Sequence, residues 1–234
     1  MKNVSFLRNN SFAHRGLHNN IYPENSIGAF RNALSKNIPI EFDVHLLKDN
    51  TIVVFHDDNL KRMTGIDKYL CNVTYEEIKD LKLNNTEYTI PTLEEVLNLI
   101  DGKVPIIVEL KYDRKIGLLE KKLVKYLDNY NGIFCVKSFQ PLIVFYMRCI
   151  RPKYIRGLLI GISEKRIINI LSHSIFSILL CKPDFISCDK DLYSNKNIRK
   201  FNKSKPVLCW TIKNKTDYIE CKKKFDSVIY EEER

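Results

Sequence analysis

Between residues 41 and 58 the chain reads EFDVHLLKDNTIVVFHDD, a stretch that gathers two carboxylates and a histidine into one short segment. β-Formers flank Asp49-Asn50, a two-residue turn signal, so the stretch reads as a hairpin. With those two residues as the loop, Lys48 pairs with Thr51 and Asp43 falls opposite His56, and paired residues share a face. Alternation along the strand turns Glu41 and Asp43 to one side. Glu41, Asp43 and His56 together form the beginnings of a metal-dependent hydrolytic site. The competing reading is a surface hairpin with a solvated acidic face, and the rest of the chain decides between the two.

The elements that must position these groups alternate in kind. SFAHRG reads as a first strand ended by Gly16, and a loop leads from it to a helix through SIGAFRNAL with Ser26 as N-cap. After the hairpin, residues 57–73 lack strong periodicity, and Thr-x-x-Glu capping boxes at Thr74 and Thr92 then open helices. Strand signals recur at VPIIVELK, GIFCVKSF, YIRGLLI, PDFISC, PVLCWTI and FDSVIY, mostly separated by helical stretches such as KIGLLEKKLVKYLDNY and QPLIVFYMRCI. Nine apolar runs become eight when TIVVFH is taken as the return arm of the hairpin. The expected fold is therefore an α/β TIM (β/α)8 barrel with a β-hairpin insertion after the second strand, and with no linker or composition break, residues 1–234 read as one domain. IINILSHSIFSILLC, the stretch most suited to membrane contact, is expected to be a packed barrel helix.

In such a barrel the chemistry sits at the carboxyl ends of the strands. Polar groups that end apolar runs are His14 and Arg15, Glu41 and Asp43, Glu109 and Lys111, Ser138, and Trp210 with Thr211. Three carboxylates without a nearby cysteine make an oxygen-rich site suited to Mg²⁺ or Ca²⁺ rather than zinc. Arg15 and Lys111 supply cations for a phosphate, and His14 and His56 are acid and base candidates, imidazole being the side chain that ordinarily changes charge near neutral pH. Together they spell metal-assisted phosphoryl transfer to an oxygen nucleophile.

Composition narrows the classes further. With 44% hydrophobic residues the chain can bury a substantial core, and it carries neither a signal-peptide run nor an apolar stretch of the roughly 18 to 20 residues that span a bilayer, so a cytoplasmic protein is expected. Seven scattered cysteines without a CxxC pair argue for reduced thiols rather than disulfides or a zinc site. The net charge of +10 is spread along the chain and no nucleic-acid recognition motif appears; its use would be attraction for anionic substrates or transient contact with a membrane surface.

The ordered motifs AHRG at 13–16, PENS at 23–26, EFDV at 41–44, FHD at 55–57, IPTLEEVL at 90–97 and ELK at 109–111 resemble those of the glycerophosphodiester phosphodiesterases. The likeness extends over nearly the whole chain, with KSF and CWT supporting it in the second half. It implies a TIM barrel that hydrolyses a small-molecule glycerophosphodiester to an alcohol and glycerol 3-phosphate with a divalent cation. By the same resemblance Glu41, Asp43 and Glu109 hold the metal, His14 and His56 are the acid/base pair, Arg15 and Lys111 bind phosphate, and Trp210 lines the substrate wall. The chain departs from the family pattern in DSVIYEE, where Glu231 stands in place of the usual Asp, which reads as a change of rim or closure. Two other readings remain: a phospholipase D acting on lysophospholipids through the same motifs, and a non-catalytic barrel that binds anionic lipid surfaces.

Overall fold

Alternation along β2 (Ile40–Leu46) divides its side chains between two environments, and that division sets the architecture. Ile40, Phe42 and Val44 face outward into an apolar layer with Phe30 and Ala33 of the helix Ile27–Ser35 and with Leu93, Val96 and Leu97 of the helix Leu93–Ile100. Glu41 and Asp43 face the barrel interior at 0% and 1% exposure. Completely burying one side chain such as Phe42 contributes roughly 1.5–3 kcal/mol, so the outward residues hold the strand against its helices. The polar pair is carried along in whatever register they choose.

In the computed structural model, which describes residues 2–112, 114–161 and 175–232, eight parallel strands close into a ring. Besides β2 these are β1 (Phe12–His14), β4 (Ile106–Leu110), β5 (Phe134–Ser138), β6 (Arg156–Ile160), β7 (Phe185–Asp189), β8 (Val207–Ile212) and β9 (Ser227–Tyr230). Closure comes from β1, which pairs with β2 on one side and β9 on the other. The expected TIM barrel is what forms. Its helices start as anticipated: Ser26 accepts from the Ala29 N–H, and Thr92 and Glu95 cap one another at 3.2 and 2.8 Å.

The lower half of the interior is apolar. Phe12, Ile107, Cys135, Phe185, Leu208 and Ile229 form a floor that is closed by Phe6 and Leu7 of a short N-terminal helix, Phe6–Asn9. Gly157 is required there, because a Cβ on it would lie 2.2 Å from the Phe185 ring. The buried carboxylates Glu41, Asp43 and Glu109 stand above this floor, toward the carboxyl end of the barrel.

β3 (Ile52–Val54) returns antiparallel on the end of β2, as the hairpin reading anticipated, but one residue out of the expected register. Val44 pairs with Val54 and Leu46 with Ile52, and Leu47 accepts no part of a two-residue loop: its N–H bonds the Thr51 carbonyl across a loop of Lys48, Asp49 and Asn50. Asn50 takes the left-handed conformation (φ 67°), which makes the three-residue loop the easier one. Asp43 thus does not face His56 across a ladder; the Phe55 N–H bonds the Asp43 carbonyl, and His56 lies past the end of β3.

The segment after the hairpin, without clear periodicity in sequence, packs a core of its own. Leu60, Met63, Leu70 and Val73 join Leu47, Val53 and Phe55 under the turn Lys61–Thr64. Of the stretch anticipated as a packed barrel helix, residues 167–174 lie outside the described residues, while Ile175–Cys181 is helical, buries Cys181, and leaves Phe176 and Leu179 exposed. No helix among the described residues is long and apolar enough to cross a membrane, and all seven cysteines are free thiols.

Candidate active site

Neighbouring strands bring the acidic groups together by register. His14 pairs with Glu41, and two residues further along β2 Asp43 pairs with Glu109 and Glu109 with Lys137, so two successive inward rows carry the polar groups from β1 to β5. Oxygens of Glu41, Asp43 and Glu109 lie within 4.8 Å of one another. The Lys111 ammonium bridges Asp43 Oδ1 at 2.9 Å and Glu109 Oε1 at 2.5 Å, and Asn25 donates to Asp43 Oδ2 at 3.0 Å. Burial works to raise the Asp43 carboxyl, but the charges of Lys111, His56, Arg15 and His14 hold it well below the usual range. Burial likewise opposes Lys111, whose ammonium is nonetheless raised by Asp43 and Glu109.

Arg15 and Gly16 follow β1 in the left-handed region (φ 57° and 77°). Gly16 admits no side chain, since a Cβ would sit 2.9 Å from Ala29 Cβ and Phe30 Cδ1. The turn directs the Arg15 N–H to Glu41 Oε2 (3.2 Å) and its guanidinium between Glu24 (2.6 Å) and Asp43 (3.5 Å). Glu24 also accepts two bonds from Arg62, which in turn holds Asp57 at 2.5 Å. A chain of ion pairs thus runs from Arg15 to Asp57, whose carboxylate accepts from His56 Nδ1 at 2.6 Å. His45 fixes the same residue from below by donating from Nε2 to the His56 carbonyl at 3.1 Å.

His14 is held in parallel fashion, its Nδ1 2.9 Å from Glu231 Oε1 at the end of β9. Burial tends to raise the Glu231 carboxyl, and the hydrogen bond and charge of His14, with Lys213 and His18 beyond, pull it down to about 2. The carboxylates occupy Nδ1 of both rings, which leaves Nε2 of each to exchange a proton. The change of residue at 231 is accordingly a change at His14 itself rather than only at the rim. Trp210 packs edge-on against Phe139 at 5.4 Å, and its indole N–H is buried with no acceptor among the described residues. Ser138 is spent on structure, donating to the Leu110 carbonyl at 2.8 Å.

Sequence reasoning missed Glu24, Asn25, His45, Asp57, Arg62 and Lys137. Alternation from Cys135 would have found Lys137, an inward position in an apolar strand. PENS and FHD contained three of the others without a role, and nothing in the 57–73 segment marks Arg62. The rim holds a cavity of about 540 Å³ beside His14, bounded by Arg15, Glu24, Arg62, Lys213 and Glu231.

Glu24 offers a stability test. Burial would raise its carboxyl, but Arg62 and Arg15 bring it down to about 2 from an ordinary 4.5. Because the folded value is depressed, the contribution is complete above pH 4.5 and is lost as pH falls toward 2. Glu24→Gln should be less stable than wild type at pH 7 by roughly 1–3 kcal/mol, with the gap roughly halved at pH 3. Denaturant unfolding at both values checks it; an equal gap at pH 7 and pH 3 removes the ionised Glu24 from the account.

A parallel barrel with carboxylates, cations and two carboxylate-held histidines at its carboxyl rim has the layout of a TIM-barrel active site. The chain belongs to the glycerophosphoryl diester phosphodiesterase family, which it matches over residues 14–232. A glycerophosphodiester phosphodiesterase of Bacillus altitudinis is 35% identical over 129 residues, 51% of this chain and 52% of that protein, so the chain spans about half the length of that curated relative in the match. The solved structure of a glycerophosphodiester phosphodiesterase from Parabacteroides distasonis superposes with a TM-score of 0.79 at 24% identity, over 94% of this chain and 92% of that one. An Oleispira antarctica phosphodiesterase, solved in complex with the product sn-glycerol-3-phosphate, gives 0.79 at 22% identity over the same shares.

Proposed function

We propose that residues 1–234 work as a single barrel domain that hydrolyses glycerophosphodiesters to an alcohol and glycerol 3-phosphate. One observation carries the reading: three buried carboxylates, the cations Arg15 and Lys111 and two oriented imidazoles share one rim. The product complex of the Oleispira relative supports the choice of substrate.

Glu41, Asp43 and Glu109 would hold a divalent ion. The donor set is all oxygen, which suits Mg²⁺ or Ca²⁺. Such an ion would draw charge from a phosphate oxygen when bound. Arg15 and Lys111 bind the remaining oxygens, His14 and His56 act as acid and base, and Trp210 lines the substrate wall. Among the described residues the cavity beside His14 is lined only by charged and polar side chains, which favours a small polar alcohol over the acyl chain of a lysophospholipid. Turnover of glycerophosphocholine against lysophosphatidylcholine, with each divalent ion restored after chelation, tests the reading. Faster cleavage of the lysolipid would transfer it to the phospholipase D class, and liposome binding without turnover to the non-catalytic one.

Arg15→Lys keeps the charge but loses the fork that spans Glu24 and Asp43. We expect kcat/KM to fall by about 10- to 100-fold, the worth of one or two charge-assisted hydrogen bonds. Unaltered kcat/KM would place Arg15 outside the reaction.

A further inference from the structure

Lys137 is buried on β5, its side chain 3% exposed, and it serves no part of the reaction described above. Its ammonium lies 2.9 Å from Glu41 Oε1 and 3.3 Å from Glu109 Oε2. Lys111 spans the other pair, Asp43 and Glu109. With Arg15 against Asp43, three carboxylates face three cations, and the formal charge of the cluster is zero. An oxygen site that attracts a divalent ion by ligand charge is weakened by every cation already sharing its oxygens. Lys111 and Arg15, each 14% exposed, stand at the rim, where they can turn toward a phosphate. Lys137 lies deeper, beside the apolar floor residue Cys135, and its stem fixes the ammonium between two of the three carboxylates.

We propose that Lys137 is a built-in counter-cation of the carboxylate cluster, which shares Glu41 and Glu109 with the divalent ion, lowers the affinity for that ion and lets the cluster fold without it. The inference rests on the reading of Glu41, Asp43 and Glu109 as ligands. Removing the ammonium exposes two carboxylates to each other and to any cation that can enter. Lys137→Gln should therefore bind Ca²⁺ and Mg²⁺ roughly 10- to 100-fold more tightly than wild type, and in chelator it should melt at a lower temperature, with a larger gain on adding either ion.

Calorimetric titration of the whole chain with Ca²⁺ and with Mg²⁺, together with melting curves with and without chelator, reads both effects without using activity. Equal affinities within about threefold would overturn the role of Lys137 while leaving the metal site standing. Failure of the folded Gln variant to bind either ion would overturn both. Should Lys137→Gln not fold, the wild type supplies the answer: the Lys137 ammonium resonance, assigned with Lys137→Arg, should shift during titration with Ca²⁺, and a resonance unmoved at saturation would overturn the proposal.

Discussion

Replacing His14 or His56 with alanine should each lower kcat by on the order of 10²- to 10⁴-fold, the range a positioned acid or base contributes. The two imidazoles come from different elements, one on β1 and one past the end of β3, and each is gripped at Nδ1 by a carboxylate, Glu231 or Asp57. That arrangement suits an in-line displacement in which one Nε2 takes a proton from the nucleophile and the other gives one to the departing alkoxide. Metal affinity should be largely kept, since neither ring belongs to the carboxylate cluster, and the bell-shaped pH profile should lose one limb in each variant. Glu231→Gln should show a smaller loss, because an amide still orients the ring but no longer favours its charged form. In the proposed reaction the nucleophile would be either water or the 2-hydroxyl of the glycerol moiety. Attack by the hydroxyl predicts a transient cyclic glycerol phosphate and failure of the 2-deoxy substrate, whereas water attack spares that substrate. Near-normal turnover by either alanine variant at saturating metal would sink the two-histidine mechanism.

The second large effect concerns the cation. Chelation should abolish turnover, and Glu109→Gln should reduce it by at least about 100-fold at limiting metal, with partial recovery as the ion is raised. Glu109 stands at the centre of the cluster, touching both Lys111 and Lys137. Burial would raise its carboxyl; Lys111 lowers it, the nearby Asp43 pushes back, and Lys137 helps bring it below the ordinary value. A neutral amide there removes one of three ligand charges and leaves two buried ammoniums short of a partner, so a loss of stability should accompany the loss of turnover. Turnover measured against metal concentration separates the two causes. Full activity of Glu109→Gln under limiting metal would remove Glu109 from the ligand set.

The features that the sequence by itself determined are local ones. Eight βα units show in the alternation of apolar runs with capped helices, and the shared face of Glu41 and Asp43 follows from the two-residue period of a strand, whatever surrounds it. Ser26 and Thr92 cap their helices because their partners lie three residues away. The tertiary structure decided what depends on distant neighbours. Asn50 in its left-handed turn lengthened the hairpin loop by one residue, so His56 reaches the site from beyond the ladder, held by Asp57 and His45 rather than by pairing with Asp43. Glu231 meets His14 across 217 residues only because β9 pairs with β1 to close the barrel. Lys137 became a partner of Glu41 through the registers of two intervening strand pairs. Local periodicity fixes which way a side chain points, and only closure of the ring determines which groups it meets there.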